Sequence, residues 1–413
     1  TMAKKLPVYS ADEFRQKVVE IGGILTDRGA NTDWQDELTQ TAITQDHNLI
    51  MSGGTNDFTY RASLGYLDQE GIVMNTGFKR FSGRVNANQK LMDGRLNIDF
   101  NLNSTIETGE NAHLKTVVAH MLTYNPTYSA YTDGEPTKHQ DFINPIHQAE
   151  LYKDFNEIRR TIVNIAPSFE IIDGLVYKLN LGFVKRSQEI DRQEMPSVDP
   201  FVQGRLQQDN SNYSNTLIEN YLTYTKDFNN HSLILLGGYS YQKTTSKSSS
   251  WNILQFEANG IEPRFNPGLG QLLDLTSNRP SGSAQENELQ SFFGRANYSF
   301  KGKYLLTGTV RADGSSKFGE NNKYGTFPSF AAGWRISDEA FMGSNVFSEL
   351  KLRAGWGQTG NQEIPNKITQ ESFRSSTGGD DTYPLFPTGP YPVGTVYTRL
   401  ANPDIQWEVS TQT

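Results

Sequence analysis

The string Gly355-Trp-Gly-Gln-Thr-Gly360 has the spacing of a dinucleotide-binding loop, in which backbone amides at a strand-to-helix turn cradle a pyrophosphate. Such a loop needs a helix directly after it. Asn361-Gln-Glu-Ile-Pro365 puts a proline there, so the string reads as a glycine-rich strand end feeding a loop. The six histidines are scattered, and His113 and His120 lack the His-Glu-x-x-His spacing of a zinc helix. Asp380-Asp381, beside Gly378-Gly379, has no spaced oxygen ligands around it for calcium and reads as a solvated loop tip. There is no Gly-x-Ser-x-Gly elbow, no phosphate-binding Gly-x₄-Gly-Lys loop and no cysteine. No catalytic set, metal site or cofactor is expected, and the chain does not read as an enzyme.

One group of chemically useful residues remains, the tyrosines of the long connections. Tyr124, Tyr128 and Tyr131 fall in one, and Tyr383, Tyr391 and Tyr397 in another. Their ring faces can stack on sugars while hydroxyls are hydrogen-bonded nearby, or they can pack the loops together.

The elements that would carry these residues have a period of two. In Arg95–Asn103, Leu96, Ile98, Phe100 and Leu102 alternate with Asn97, Asp99, Asn101 and Asn103. In Tyr60–Tyr66 the apolar side is Tyr60, Ala62, Leu64 and Tyr66, against Arg61, Ser63 and Gly65. Arg84 stands on the polar side of Phe81–Leu91, where Gln89 is the one polar intruder on the apolar side. Leu175, Tyr177, Leu179, Leu181 and Phe183 alternate with Lys178, Asn180 and Gly182, and Leu350, Leu352, Ala354 and Trp356 with Lys351, Arg353, Gly355 and Gly357. About thirteen such strands are expected, near 47–54, 58–68, 78–91, 95–103, 157–172, 175–188, 213–228, 231–246, 288–300, 304–316, 326–337, 349–358 and 405–413.

Tight turns at Gly54–Asp57, Met92–Gly94, Asp173–Gly174, Asn229–Asn230 and Lys301–Lys303 alternate with connections of very unequal length, the longest near 104–156, 247–287 and 359–404. A soluble sandwich has no reason to gather its short turns on one side, whereas an outer-membrane barrel has short periplasmic turns and long external loops. Mean hydropathy is −0.59, and no run approaches the ~18 apolar residues of a spanning helix. A barrel tolerates this, because only every second strand residue meets lipid. The fold class is therefore all-β, a partial transmembrane antiparallel barrel in meander order, with Arg61, Arg84, Asn97, Asp99, Asn101, Lys178 and Arg353 facing the lumen. Leu96, Ile98, Phe100, Leu102, Leu179 and Leu181 are expected to face lipid. A net charge of −8 argues against nucleic acid. A passive porin and a soluble β-rich adhesin remain as alternatives.

Residues 1–46 differ. Ser10-Ala-Asp-Glu13 is a capping box, and Phe14, Val18, Ile21 and Leu25 follow at helical spacing, predicting a helix over 11–22 that Gly22-Gly23 ends. Short helices are expected at 33–41, 112–122 and 145–155. No leader is visible at Thr1–Leu6 and Val409–Thr413 lies inside an apparent strand, so the chain reads as an internal part of a longer barrel.

Several ordered strings carry a family resemblance: Asn31-Thr-Asp-Trp-Gln-Asp36, Ser52-Gly-Gly54, Tyr60-Arg-Ala-Ser-Leu-Gly-Tyr-Leu-Asp-Gln-Glu-Gly71, Arg311-Ala-Asp-Gly-Ser-Ser316, Phe327-Pro-Ser329, Gly333-Trp-Arg-Ile-Ser337, Leu352-Arg-Ala-Gly-Trp-Gly357, Thr359-Gly-Asn361, Asn402-Pro-Asp404 and Trp407-Glu408. Together they resemble the SusC/RagA-type TonB-linked outer-membrane proteins of Bacteroidota. The resemblance implies a 22-stranded barrel, of which this chain would supply about thirteen strands. It also implies an N-terminal plug, coupling to the TonB complex, a SusD-like surface lipoprotein as lid, and import of oligosaccharides or, in some members, peptides. Residues 1–46 would form an external loop region and 47–413 part of the barrel, without plug or closure.

Overall fold

The structure is a computed structural model, and it describes residues 5–23, 26–112, 114–138, 143–198, 201–275, 279–342, 347–375 and 394–413. Leu25, His113, Asp380, Asp381, Tyr383 and Tyr391 lie outside the described residues.

Thirteen strands form one antiparallel sheet in strict chain order. They are β1 (Thr44–Gly54), β2 (Phe58–Glu70), β3 (Gly77–Leu91), β4 (Leu96–Asn111), β5 (Tyr152–Ile172), β6 (Leu175–Glu194), β7 (Gly204–Phe228), β8 (His231–Phe256), β9 (Ser281–Phe300), β10 (Tyr304–Ser315), β11 (Tyr324–Arg335), β12 (Lys351–Asn361) and β13 (Glu408–Gln412). A two-residue strand, Leu272–Leu273, adds to β8. The sheet does not close: β1 pairs only with β2, and β13 only with β12.

Among the described residues no second sheet packs on this one, so the sandwich arrangement does not hold. The strands keep large apolar side chains open instead: Leu306 is 53% exposed, and Phe330 and Leu352 are each 60% exposed. Among the described residues the buried apolar clusters form where connections pack together or, for Phe327, against a strand end. Trp34, Leu38, Val117, Tyr128 and Ile146 make one, and Phe318, Phe327 and Trp407 the other.

The five tight turns stand where the sequence places them. Asn229 at φ 51° and Lys301 at φ 52° sit in the left-handed region that short hairpins require. Gly174 has φ +78°, and a Cβ there would lie 2.2 Å from the carbonyl oxygen of Thr225 on β7. That turn admits glycine for two independent reasons. The connection over 336–350, on the same side, is longer than the sequence reading allowed. It is pinned by Glu339, which accepts from the Tyr304 hydroxyl at 2.7 Å, Trp334 Nε1 at 3.1 Å and Lys303 Nζ at 3.2 Å. These donors, the Tyr304 hydroxyl foremost, hold the Glu339 carboxyl down at about 2.

On the opposite side, several strands run longer than expected. β7 and β8 have 25 and 26 residues, against about 9–11 needed to cross a bilayer. The Ser-rich Thr244–Ser250, which straddles the end of the expected strand 231–246 and the start of the expected connection 247–287, stays in β8 with every residue paired to β7. The helix expected over 145–155 stops at Leu151, where Tyr152 begins β5.

Pro167 sits inside central β5 without an N–H to donate, and the β5–β6 ladder opens between the Ile165–Leu181 and Ser168–Lys178 pairs. Asn164 Nδ2 helps to bridge the gap, donating to Asn180 Oδ1 at 2.6 Å.

The N-terminal segment carries α1 (Ala11–Glu20) and α2 (Trp34–Glu37). The capping box is formed: Glu13 N donates to Ser10 Oγ at 3.3 Å, and Ser10 N donates to Glu13 Oε2 at 2.8 Å. Residues 28–38 pack on the β4–β5 connection, which holds α3 (Leu114–Thr123) and α4 (Pro145–Leu151). The Trp34 indole donates to Asn125 O at 3.1 Å, and Thr32 Oγ1 to Tyr128 O at 2.6 Å.

Gly174→Ala is expected to destabilise the full-length barrel by about 1–3 kcal/mol, the scale of a strained backbone position. Denaturant unfolding in detergent or bilayer checks this; an unchanged midpoint contradicts the turn geometry.

Candidate functional site

Register decides which side chains share a face. Asn101 pairs with Asn86 and Asn164, and Asn86 with Arg61; Asn103 pairs with Arg84. Following the ladders from β4 to β12 puts Lys178 and Arg353 on that face too. Arg61, Arg84, Asn97, Asp99, Asn101, Lys178 and Arg353 thus share one side of the sheet, called the Asp99 face below. Leu96, Ile98, Phe100, Leu102, Leu179 and Leu181 share the other, the Phe100 face.

The Asp99 face is knit by polar side chains across strands. Asn88 Nδ2 donates to Asp99 Oδ1 at 2.6 Å, and Asn180 Nδ2 to Glu219 Oε2 at 2.7 Å. Arg311 Nε donates to Asp313 Oδ1 at 2.6 Å and its Nη2 to Ser291 Oγ at 2.9 Å. Asp99, Asn101 and Lys178 meet around one concavity, with Asn164, Asn180 and Tyr221. Arg84 lies apart from them in a second concavity nearer the long connections, which Arg80, Arg160 and Arg186 also line. Arg61, Asn97 and Arg353 line neither.

The Phe100 face carries an apolar stripe with sharp limits. Along β8, Leu233, Leu235, Gly237, Tyr239 and Tyr241 lie together on this face before Lys243, which pairs with Glu286 at 2.7 Å. Equivalent ion pairs end the stripe elsewhere: Lys79 with Asp68 at 3.2 Å, and Arg159 with Glu157. At the short-turn end an aromatic ladder crosses five strands. Phe228 and His231 stack at 4.9 Å, His231 lies 4.7 Å from Phe300, Phe300 stacks on Tyr304 at 6.1 Å, and Tyr304 on Trp334 at 6.5 Å. Asn220, opposite Leu179, is a polar residue within the stripe; it accepts from the Tyr177 hydroxyl at 2.7 Å.

The loop tyrosines divide. Tyr124 and Tyr128 are packed inward, Tyr124 edge-on to Trp34 at 4.9 Å and 5.7 Å from Tyr128, which is 8% exposed. Burial, with the neighbouring Tyr128, pushes the Tyr124 hydroxyl up to about 12. Tyr131 and Tyr397 are exposed, and Tyr397 rests on Phe373 at 4.4 Å. The glycines of the dinucleotide-like string lie within β12. A Cβ at Gly360 would come 2.1 Å from the ring of Phe327, so this glycine is a notch for an aromatic side chain.

The β8–β9 connection is latched to the ends of β5 and β6. Lys153 Nζ donates to Glu262 Oε1 at 2.6 Å, Gln193 Nε2 to Glu262 Oε2 at 2.9 Å, and the Arg264 guanidinium lies 3.5 Å over the Phe155 ring. Burial opposes the Glu262 charge, but Lys153 and Gln193 prevail and hold its carboxyl below the usual carboxylate range. Sequence reasoning missed this latch, whose five members come from three separate stretches of the chain.

The family model for the TonB dependent receptor-like β-barrel matches residues 120–413. The chain belongs to the TonB-dependent receptor β-barrel family. It is 32% identical to TonB-dependent receptor P3 of Formosa agariphila, covering 98% of this chain and 41% of that protein. It is 29% identical to TonB-dependent receptor SusC of Bacteroides thetaiotaomicron, covering 99% of this chain and 43% of that one. The chain thus spans about two fifths of the length of these relatives. A solved structure of the RagAB peptide transporter shares the fold, with a TM-score of 0.74 at 24% identity over 92% of this chain and 43% of that one. The relatives are receptors by name rather than enzymes, and the family places this receptor segment in the outer membrane.

The lowered Glu262 pKa gives the latch a pH signature. Its stabilisation is fully present above the unfolded carboxyl value of about 4.3 and is lost as pH falls through the depressed folded value. Hydrogen exchange over 261–270, corrected for intrinsic rate, should show protection at pH 6 that falls below pH 4. Glu262→Gln should lose that protection already at pH 6; equal protection in both proteins contradicts the latch.

Proposed function

We propose that the full-length protein actively imports a bulky solute, most directly an oligosaccharide, across the outer membrane. The Phe100 face meets lipid and the Asp99 face lines the wet lumen. Residues 1–46 and the connections over 112–151, 257–280 and 362–407 stand outside, where a SusD-like lipoprotein closes over the solute. The plug and the contact with the TonB complex belong to parts of the protein other than this stretch, 47–413 supplying barrel wall.

The single observation that carries the sidedness is the bounded stripe of the Phe100 face, with aromatics at the short-turn end and ion pairs at the other. A bilayer-facing barrel surface has such an apolar band, ~25 Å tall, with interfacial aromatics. On a soluble protein a continuous exposed apolar patch of this extent would invite aggregation. Family membership supports active import over a passive porin. The SusC resemblance and the exposed Tyr131 and Tyr397 favour an oligosaccharide, and a peptide is the competing solute.

Leu102→Arg, near the middle of the β4 stripe that runs from Leu96 to Ile106, is expected to cost about 2–4 kcal/mol of barrel stability in the bilayer, whereas Asn101→Arg on the facing side should cost little. Equal assembly of both variants contradicts the sidedness. Uptake by the native host should stop when TonB is removed; uptake that continues unchanged is a porin's behaviour. Binding of peptides but not glycans by the transporter–lipoprotein pair would change the solute and leave the import mechanism standing.

A further inference from the structure

The concavity beside Arg84 has a charge pattern that folding alone does not account for. Register puts Arg160 directly opposite Arg186 across the β5–β6 ladder, and like charges so placed destabilise a sheet. Arg80 and Arg84 line the same hollow of about 500 Å³, within the range of ligand sites, ~300–1,000 Å³. Glu107 is the one carboxylate among its lining residues. Among the described residues none of the four arginines makes an ion pair, and Arg186 donates only to the neutral Gln188 amide, at 2.8 Å. Elsewhere on this face, among the described residues, Arg61 and Arg353 stand singly without an ion pair, whereas Arg192 has Asp209 at 2.5 Å and Arg311 has Asp313 at 2.6 Å; what sets the hollow apart is the gathering of four guanidiniums in one place. The chain as a whole is acidic, at −8, which makes an unpaired gathering of four guanidiniums the more pointed.

Height along the wall gives the second observation. Arg80 and Arg160 are chain neighbours of Lys79 and Arg159, whose ion pairs mark the end of the apolar stripe farthest from the tight turns. The hollow therefore sits at the mouth on the long-connection side, which an arriving solute meets first. Ser82, Asn103 and Thr105 line it as well and offer neutral hydrogen-bonding groups beside the charges.

We propose that this hollow binds the acidic groups of an anionic oligosaccharide, carboxylates or sulfates, on its way into the barrel; this deepens the importer reading above and rests on it. The planar guanidinium fork suits bidentate capture of either group, and several forks on one wall suit a chain bearing repeated charges. The solute's anions relieve the Arg160–Arg186 repulsion that the empty wall retains.

The test uses the full-length transporter with its lipoprotein, titrated calorimetrically with two probe pairs. One pair is a galacturonate hexamer and its fully methyl-esterified form; the other is a sulfated galactan hexamer and its desulfated form. At least one charged probe should bind ~10–100-fold tighter than its neutral counterpart, the scale of charge-assisted hydrogen bonds, and the preference should shrink as salt rises. In Arg160→Gln/Arg186→Gln the preference should collapse, while thermal stability is kept or raised because the repulsion is gone. No preference for either charged probe, or a preference untouched by the double variant, overturns the proposal. So does a fall in stability with unchanged preference, which would assign the arginines to an acidic face of the plug. TonB-dependent uptake measured alongside separates the two readings. Uptake that needs TonB without anion preference sinks this inference alone, and uptake indifferent to TonB sinks the importer reading itself.

Discussion

An unpaired backbone amide or carbonyl in hydrocarbon costs several kcal/mol, so a chain that crosses a membrane as strands must satisfy nearly every one of them along its ladders. That requirement governs this structure. The long hairpin ladders, up to twenty-five residue pairs between β7 and β8, fix register, and register fixes which side chains share a face. A slip of one residue anywhere in the series would exchange Asp99 for Phe100 and every neighbour with them. The place where the ladder must open, at Pro167, is flanked by an asparagine whose side-chain amide reaches across to the next strand.

The same constraint explains where the protein departs from a soluble fold. A single-layer sheet has no interior, so among the described residues the buried apolar clusters gather where connections pack, α2, α3 and α4 around Trp34 and Phe318 and Trp407 against Phe327 of β11, while only scattered strand residues such as Leu206 and Ser291 are buried. The strands themselves rely on hydrogen bonds, with cross-strand polar pairs on one face and an exposed apolar surface on the other. Among the described residues the outer edges of β1 and β13 are unpaired, and the relatives the chain matches are more than twice its length.

Much of this was legible in the residues. Thirteen strands in chain order, five tight turns on one side and the capped first helix follow from a period of two, from Gly and Asn at turns and from Ser10 and Glu13. The strand ends were not legible. Beyond the apolar stripe, alternation fades into Asn210–Ser214 and Thr244–Ser250, where pairing is kept by the ladder and by contacts such as Asn215 Nδ2 to Thr244 Oγ1 at 2.8 Å. Hydrophobic pattern cannot report a strand that has water on both faces. The polar face was read from Arg61, Arg84 and Asp99, but Arg80, Arg160 and Arg186 went unnoticed. Their adjacency exists only across strands, and nothing in the linear order brings residues 84, 160 and 186 together. Glu262 and Lys153 were hidden for the same reason.

The central claim is the sidedness of the wall, and the absence of native cysteine from these 413 residues makes it directly measurable. Single cysteines at 97 to 102 in the full-length protein, spin-labelled in a bilayer, can be probed with oxygen, which concentrates in lipid, and with a water-soluble nickel chelate. Oxygen accessibility should peak at 98, 100 and 102, and nickel accessibility at 97, 99 and 101, with a period of two throughout. A pattern without that period, or with the two reagents exchanged, would contradict the account.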